Sequence, residues 1–581
     1  MVSRLRLNWE IASYILLALI ALGMRLWDLG SRSIHHDESL HAVYSWYLAN
    51  GQGYQHMPMM HGPFQFHGTA LTFFLFGDSD FTARLLPVLF GVALVVLPYF
   101  LRRHLGRWGS LAVATLLAFS PMLLYFSRFA RNDIYILFWT LLLVICLWRY
   151  IEERKARYLY IGAAALSLSF CTKEVSYITV VIFASFLLIV AGRELIARIR
   201  RRFDLSDLTP AAEYLILIGT LSLPLFAAGI EIIPGVELTH LWAKVLVVVF
   251  LFMISAAIGL RWNVRRWLLS VLIFYGIFAL LYTTFFTNIS GFGSGIWGSM
   301  EYWIAQQEVA RGGQPWYYYI LLLSFYEFLP LVFAFIGAIY YTVRGNLFSR
   351  FLVYWAALSL IIYSLFGEKM PWLSLHIALP MILLGGNFIG RLFQEVDWRR
   401  VRASALRAVT VLVLLLLFSF TVRVAFQASY QERDEPPQML VYAGISSDVP
   451  QIMAQIEGLA EETGEGKELR ITVDSPLTWP WVWYLRDYNV DWSDLSTVSQ
   501  PPVGTVLLLG AGNEQAAQPY LEKYGEGQRF RQLLWFPEEY RGLHIFSSDS
   551  WRWWWDYFMH RKPLGPYWSA EGIAYFPRSA P

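Results

Sequence analysis

"SIHHDESLHA", residues 33–42, sets two adjacent carboxylates, Asp37 and Glu38, among three histidines, just after the chain's first apolar run. The reading of this stretch decides the fold. Between two soluble core segments it would be an ordinary polar loop; between two membrane spans it is titratable chemistry held at a bilayer surface. Composition favours the second. The chain has 581 residues, 56% hydrophobic and 15% charged, with a mean hydropathy of +0.44, the balance of a multi-spanning membrane protein. No nucleic-acid partner is expected. Cys146 and Cys171 lie in or beside apolar segments and offer neither a disulfide framework nor zinc-ligand spacing.

Working outward, a bilayer core of about 30 Å needs about 20 apolar residues per helix. That criterion places thirteen spans, at 10–29, 82–104, 108–127, 133–150, 157–171, 174–193, 211–230, 239–260, 267–287, 316–342, 351–366, 372–391 and 405–427. The first is expected to be a retained signal anchor, because no small-residue cleavage site follows it. Every second loop is rich in arginine: "RLR" at 4–6, "RRHLGR" at 102–107, "EERKAR" at 152–157, "RIRRRF" at 198–203, "RWNVRR" at 261–266, "RGNLFSR" at 344–350 and "DWRRVRASALR" at 397–407. The positive-inside rule makes these loops and the N-terminus cytoplasmic. An odd number of spans then puts the tail outside. Its charge agrees: from Tyr430 on there are 12 Lys+Arg and 21 Asp+Glu, a net of −9 against +12 for the first 429 residues. The expected domains are therefore a membrane part, 1–429, and a soluble extracytoplasmic part, 430–581.

The other set of loops carries the unusual residues: "HHDESLH", "HGPFQFHG", "SRFARND" at 127–133, "TKE" at 172–174, a long loop at 288–315 and "GEKMPW" at 367–372. Charges near membrane depth are costly and tend to be functional, so six such patches on one face point to one site. Asp37 reads either as a helix N-cap or as a general base that the helix start holds rigidly; its neighbour Glu38 then orients. Six of the eleven histidines crowd the first loop, and a divalent metal is conceivable there, although no tight ligand spacing requires one. His61 stands apart, presented by a Gly-Pro turn. Arg128, Arg131 and Asp133 are either an anion site or a structural ion network. Glu368, Lys369, Trp372 and His376 fall where one span gives way to the next, Lys369 being placed to neutralise a phosphate and Trp372 fitting an interfacial belt equally well. Lys173 and Glu174 read as an ion pair joining two spans. "EYWIAQQEVARGGQPW" is an outer helix with the makings of a lid.

The tail alternates strand and helix signals, "QMLVYAG", "VPQIMAQIEGLAEE", "ELRITVD", "WPWVWYLRDY", "GTVLLLGA", which predicts a small α/β domain with a largely parallel sheet. "GAGNEQ" is a poor dinucleotide fingerprint, so no cofactor is assigned to it. The aromatics of "WPWVWY" and "WRWWWDYF" suit sugar stacking, docking within the protein or a lipid interface.

These motifs, in this order, resemble the glycosyltransferase C (GT-C) superfamily, specifically protein O-mannosyltransferases and the lipid A aminoarabinose transferase. The likeness covers residues 1 to about 430. It rests on Asp37-Glu38, His61-Gly62-Pro63, Arg84 in "ARLLP", Ser120-Pro121 with Arg128, Arg131 and Asp133, and Lys173-Glu174. "HHDESLHA", "RGGQPWYYY" and "GEKMPWL" look closer still to a prokaryotic branch of flippase-activity-associated membrane proteins. Where the aminoarabinose transferase type carries a lysine in its Pro turn, this chain has His61. The resemblance implies a helical polytopic fold and an inverting transfer of sugar from a polyprenyl-phosphate donor to a protein or glycolipid acceptor on the outer face. Asp37 and Glu38 would be the catalytic carboxylates. His61, Arg84, Arg128, Arg131, Asp133, Glu368, Lys369, Trp372 and His376 would serve donor phosphate and substrate, with no cofactor required. The rival readings are a lipid-linked sugar flippase or transporter and a non-catalytic partner in a surface-glycan pathway. A transporter is expected to carry charges within its spans and internal repeats; here the charges collect at outer loop ends.

Overall fold

The computed structural model describes residues 8–200, 204–309, 312–395, 405–431, 437–497, 503–544 and 546–578. The arginine loop at 4–6, residues 201–203, 310–311 of the long loop, 397–404 of the last arginine loop and 432–436 at the start of the tail lie outside them. The chain forms two compact units. One comprises Met1–Trp27, Asn50–Gly68 and Leu85–Ala425, the other Asp28–Ala49, Thr69–Arg84 and Phe426–Pro581. Two segments of the expected membrane part, 28–49 and 69–84, thus cluster with the tail.

The protein is an integral membrane protein. Among the described residues nine helices are long and apolar enough to cross a bilayer, or ten if Tyr318–Tyr326 and Phe328–Arg344, bent by 111°, form one span. The thirteen expected segments are accounted for by two hairpins and one short helix. Asp80–Phe119 breaks at Gly106 (φ 71°), and a Cβ on Gly91 would lie 2.6 Å from that of Ser127, so the chain folds back on itself. Leu241–Tyr282 breaks at Asn263 (φ −163°, ψ 106°). The rings of Phe252 and Tyr275 on either side of that break are 6.0 Å apart, whereas a straight helix would separate them by about 35 Å. Arg157–Phe170 has 14 residues, and at about 1.5 Å per residue it falls short of a full crossing.

Three arginine loops meet at one end of the first unit. Arg103 and His104 reach Glu152 at 3.4 and 3.2 Å, while Glu213 is 3.2 Å from Arg266 and 3.9 Å from Arg154. Loops that share counter-charges share a side, as the alternation of charge along the chain requires.

The second unit is built on a six-stranded sheet: β1 (Gly444–Ile445), β2 (Arg470–Asp474), β3 (Asn489–Ser493), β4 (Val506–Gly510), β5 (Gln528–Trp535) and β6 (Trp568–Tyr575), in the order β1-β5-β6-β4-β2-β3. Only β2 pairs in parallel, with β3 and β4; β4–β6, β6–β5 and β5–β1 are antiparallel. The sheet is therefore mixed rather than largely parallel, because the end of the tail returns as β5 and β6. Most of "QMLVYAG" is turn, with only Gly444 and Ile445 paired.

The run "VLLLG" shows why β4 is central. Val506 and Leu508 enter one core with Ile471, Val473, Trp481 and the Asp448–Glu462 helix, whereas Leu507 and Leu509 enter the opposite one with Ile573 and Tyr575. Side chains alternate across a strand, so an unbroken apolar run requires cover on both faces. Each such side chain contributes about 1.5–3 kcal/mol. At the ends of β2 and β4, buried Asp474 accepts bonds from Leu495 N, Gly510 N and Asn513 Nδ2, which gives "GAGNEQ" a structural role.

Candidate functional site

In the first unit the site grows from the turn His61-Gly62-Pro63. Gly62 N donates to Thr172 O at 3.2 Å and Phe64 N to Cys171 O at 2.8 Å. A Cβ on Gly62 would lie 2.2 Å from Cys171 O, so only glycine permits this approach. The pinned turn holds His61 at φ 66°, a conformation uncommon for a non-glycine residue. It also brings His61 Nδ1 to 2.6 Å from Glu174 Oε2.

One residue earlier in the same turn, Lys173 Nζ donates to both oxygens of Asp133, at 2.8 and 3.0 Å. Asp133 begins the helix Asp133–Glu153, where the peptide dipole favours a negative charge. It also accepts from His376 Nε2 at 3.0 Å and has Arg131 Nε 3.6 Å away. His376 lies parallel to the ring of Tyr363, centroids 5.7 Å apart. The Arg131 guanidinium sits 3.5 Å above the Trp372 ring, a cation–π contact. Burial pushes the Lys173 ammonium below the usual lysine range, and the Asp133 carboxylate opposes that shift. Lys173 and Glu174 are thus members of two pairs, with Asp133 and His61, rather than partners of each other.

"GEKMPW" closes the arrangement. Lys369 Nζ donates to Phe366 O at 2.6 Å, and burial lowers its pKa. Gly312, at φ 89°, brings the "RGGQPW" loop to this one; its Cβ would lie 2.5 Å from Lys369 O. His61, Lys173, Glu174, Trp303, Gln307 and Glu368 line a narrow cleft. Trp303, Gln307, Ile178 and Phe366 are shared with a cavity of about 470 Å³ that continues along Tyr177, Val181, Phe226, Met300 and Ile362. A cleft edged by several titratable side chains therefore adjoins a largely apolar cavity on whose wall Glu231 also stands, with the Ser299–Val309 helix of the long loop on the wall of both.

Five of the six patches expected on the outer face thus converge within the first unit. The sixth, "HHDESLH", belongs to the second. There His35 caps the His36–Ala49 helix: its Nδ1 accepts from Asp37 N at 3.0 Å, and Glu38 Oε2 accepts from His35 N at 3.0 Å, the reciprocal pattern of a capping box. Asp37 is accordingly not the cap; it lies half-buried in the first helical turn. Glu38 is fully buried. Arg84 Nε and Nη2 reach it at 2.8 and 2.7 Å, and Arg32 Nη2 at 3.2 Å. Burial alone would raise its pKa; the two guanidiniums outweigh that and hold it well below the usual carboxylate range.

Arg84, expected at the donor phosphate, directs its other N–H groups to the carbonyls of Leu29, Arg32 and Ser33. Its five donors all end within the unit. Arg128 similarly donates to the carbonyls of Met24, Arg25 and Trp27 at the end of the first helix, where a cation is favoured.

The ring nitrogens of the histidines in the first loops bond to main-chain and hydroxyl groups: His35 to Tyr442 O, His41 to Asp37 O, His56 to Ser294 Oγ and His67 to Pro63 O. Among the described residues no three His, Cys, Asp or Glu side chains are grouped to hold a metal ion. Sequence reasoning missed Tyr363 and Gln307. Tyr363 sits near the end of a span with an ordinary apolar pattern, and Gln307 is one of two adjacent glutamines with nothing to distinguish it.

Residues 60–201 match the family model described as dolichyl-phosphate-mannose-protein mannosyltransferase. The match takes in His61, Arg84, Arg128, Arg131, Asp133, Lys173 and Glu174 and leaves out Asp37, Glu38 and residues 368–376. No curated protein matches the sequence. Among solved structures the chain is similar to the archaeal oligosaccharyltransferase AglB from Archaeoglobus fulgidus, in complex with an inhibitory peptide and a dolichol-phosphate. Identity is 14% and the TM-score 0.53, over 90% of this chain and 69% of that one. It is also similar to ArnT from Cupriavidus metallidurans bound to undecaprenyl phosphate, at 14% identity and a TM-score of 0.50, over 89% of this chain and 97% of that one. At such identity the likeness speaks for the fold.

Proposed function

We propose, from its likeness to the GT-C superfamily in motifs and fold, that this membrane protein is a glycosyltransferase that moves one sugar from a polyprenyl-phosphate carrier to a protein or glycolipid acceptor on the extracytoplasmic face. The observation that carries the reading is the junction of a narrow cleft edged by His61, Lys173, Glu174 and Glu368 with a larger cavity along Tyr177, Phe226 and Met300 in which Glu231 is the one titratable carboxylate. A carrier lipid divides its chemistry the same way, an anionic head on an isoprenoid tail, and it reaches such a groove laterally through the bilayer. AglB and ArnT, the structures of similar fold, are recorded with dolichol-phosphate and undecaprenyl phosphate, which supports the donor class.

In this scheme the acceptor's O–H or N–H gives its proton to a carboxylate, the role that the sequence resemblance assigns to Asp37, and the freed lone pair attacks the anomeric carbon opposite the phosphate. The bond from that carbon to the phosphate oxygen breaks, its electron pair leaves with the carrier phosphate, and the anomeric centre inverts. Lys369, Arg131 and Lys173 supply the positive charge that stabilises the departing phosphate, the effect worth most in such sites. Trp372 orients Arg131, and His376 holds Asp133. His61 and Glu368 contact the sugar or phosphate from the cleft wall. Glu38, Arg84 and Arg128 act as positioning residues. The chain's own cations balance the phosphate, so no metal is needed.

The test uses the purified protein in vesicles with a radiolabelled polyprenyl-phosphate sugar and candidate acceptors. Transfer with an inverted anomeric configuration is the expected result. Movement of the labelled lipid between leaflets without transfer would replace the enzyme by a flippase.

A further inference from the structure

The Ser548–His560 helix of the second unit, "SDSWRWWWDYFMH", is apolar on two faces. One face is accounted for. Trp553 stacks on Tyr540 with centroids 5.6 Å apart, and Tyr557 packs against Phe536 at 5.6 Å. The other carries Trp551 and Trp555, 60% and 55% exposed. With Trp554 and Phe558 they form a run of ring contacts, Trp551–Trp554 at 6.4 Å, Trp554–Phe558 at 5.0 Å and Trp555–Phe558 at 6.4 Å. Phe546, just before the helix, is 85% exposed. A helix with apolar residues on both faces needs a second apolar surrounding, and among the described residues Trp551 and Trp555 remain largely uncovered.

The chain itself says which surrounding is within reach. Tyr557 OH donates to Pro437 O at 2.7 Å and accepts from Met439 N at 2.9 Å, which ties the helix to Pro437. Pro437 follows the apolar helix Val411–Gln431 by six residues, a stretch that extends at most about 21 Å. The outer end of that helix, Phe426–Gln431, belongs to the same unit. The aromatic face is thus tethered within a short reach of the bilayer surface. Tryptophan is the side chain that prefers the headgroup level, with an apolar body and one N–H donor.

We infer that the Ser548–His560 helix is a lipid-interface anchor, its Trp551–Trp555 face seated among the headgroups and upper acyl chains of the bilayer. The region from Tyr430 has a net charge of −9, so attraction to anionic lipids does not drive the contact and ring burial does. Attachment is therefore insensitive to salt.

The test places a bimane fluorophore on cysteines introduced singly as Trp551→Cys, Trp555→Cys and Arg552→Cys in the full chain. The protein is reconstituted in phosphatidylcholine vesicles, with Glu461→Cys on the Asp448–Glu462 helix as the reference. Cys146 and Cys171 are buried, and labelled wild type supplies the background. Lipids brominated near the acyl carbonyl quench only a fluorophore they touch. The labels at 551 and 555 are expected to lose most of their emission in brominated vesicles, equally at low and high salt, with the label at 552 losing less and that at 461 none. Emission at 551 and 555 that survives bromination as it does at 461 would overturn the proposal, whether the face then proves to be solvent-exposed, packed on protein or protected only by added oligosaccharide.

Discussion

The Glu38–Arg84 cluster of the second unit and the Asp133–Lys173 cluster of the first are made from the same materials, a buried carboxylate ringed by cations. They differ in where the donors end. All five N–H groups of Arg84 terminate on Glu38 and main-chain carbonyls, and both side chains of the pair are fully shielded. Lys173 instead lies on the wall of a cleft, as does Glu368, and among the described residues Lys369 makes a single hydrogen bond, to Phe366 O. The first arrangement is closed and holds a loop in shape. The second is open and has charge left for a ligand. A conspicuous arginine in a polar motif is therefore no guide to function until its acceptors are known.

The sharpest way to break this contrast is to remove Arg84. Arg84→Met leaves Glu38 buried beside a single guanidinium, and a broken buried pair costs about 3–5 kcal/mol. A large fall in thermal stability in detergent is expected, and an unchanged melting point would deny Arg84 its structural role. Lys369→Met makes the opposite prediction. Transfer from the polyprenyl-phosphate sugar falls by about 10²–10³, while thermal stability stays within about 1 kcal/mol of wild type because methionine fills the same buried space and only one hydrogen bond, to a main-chain carbonyl, is lost.

A pH series sharpens the comparison further. Burial lowers the pKa of His35 from 6.5 to about 3, despite the opposing pull of Glu38. Below pH 6.5 the unfolded histidine binds a proton that the folded one refuses, so stability is full above that pH. It falls as pH drops toward 3, by at most about 1.4 kcal/mol per unit. Glu38, depressed in the folded state, adds a loss of the same sign below its ordinary range. His35→Gln is expected to flatten the slope between pH 6 and 4 in acid unfolding followed by tryptophan fluorescence. The smallest effect is reserved for an exposed pair: Arg529→Ala, which removes the 2.5 Å contact to Glu514, changes stability by no more than about 0.5 kcal/mol.

Much of the membrane architecture was legible, because length and apolarity report directly on the bilayer. Most span boundaries agreed, even where Gly106 and Asn263 hide a hairpin inside one continuous helix; the exceptions are the short Arg157–Phe170 helix and the 111° bend within 316–342. The grouping of His61, Asp133, Lys173, Trp372 and His376 accords with the alternation of loop charge, which sorts patches by side without any knowledge of packing. Partner choice was not legible. Lys173 and Glu174 read as one pair along the chain, yet the turn pinned by Gly62 sends them to Asp133 and His61. Arg84 looked like an anion ligand because a sequence displays donors and conceals the main-chain carbonyls that use them; carbonyls of the first helix likewise take up Nη1 of Arg128. Nor does it display the return of β5 and β6 into the sheet, a matter of long-range pairing rather than local pattern.

Asp37 and Glu38 bring the contrast down to neighbouring residues, one half-buried at a helix start and one fully enclosed. The most direct measurement compares Asp37→Asn with Glu38→Gln for thermal stability and for transfer of a radiolabelled sugar from its polyprenyl phosphate. The account predicts that Asp37→Asn melts like wild type and loses transfer, and that Glu38→Gln melts markedly lower. Undiminished transfer by Asp37→Asn, or a Glu38→Gln protein as stable as wild type, would contradict it.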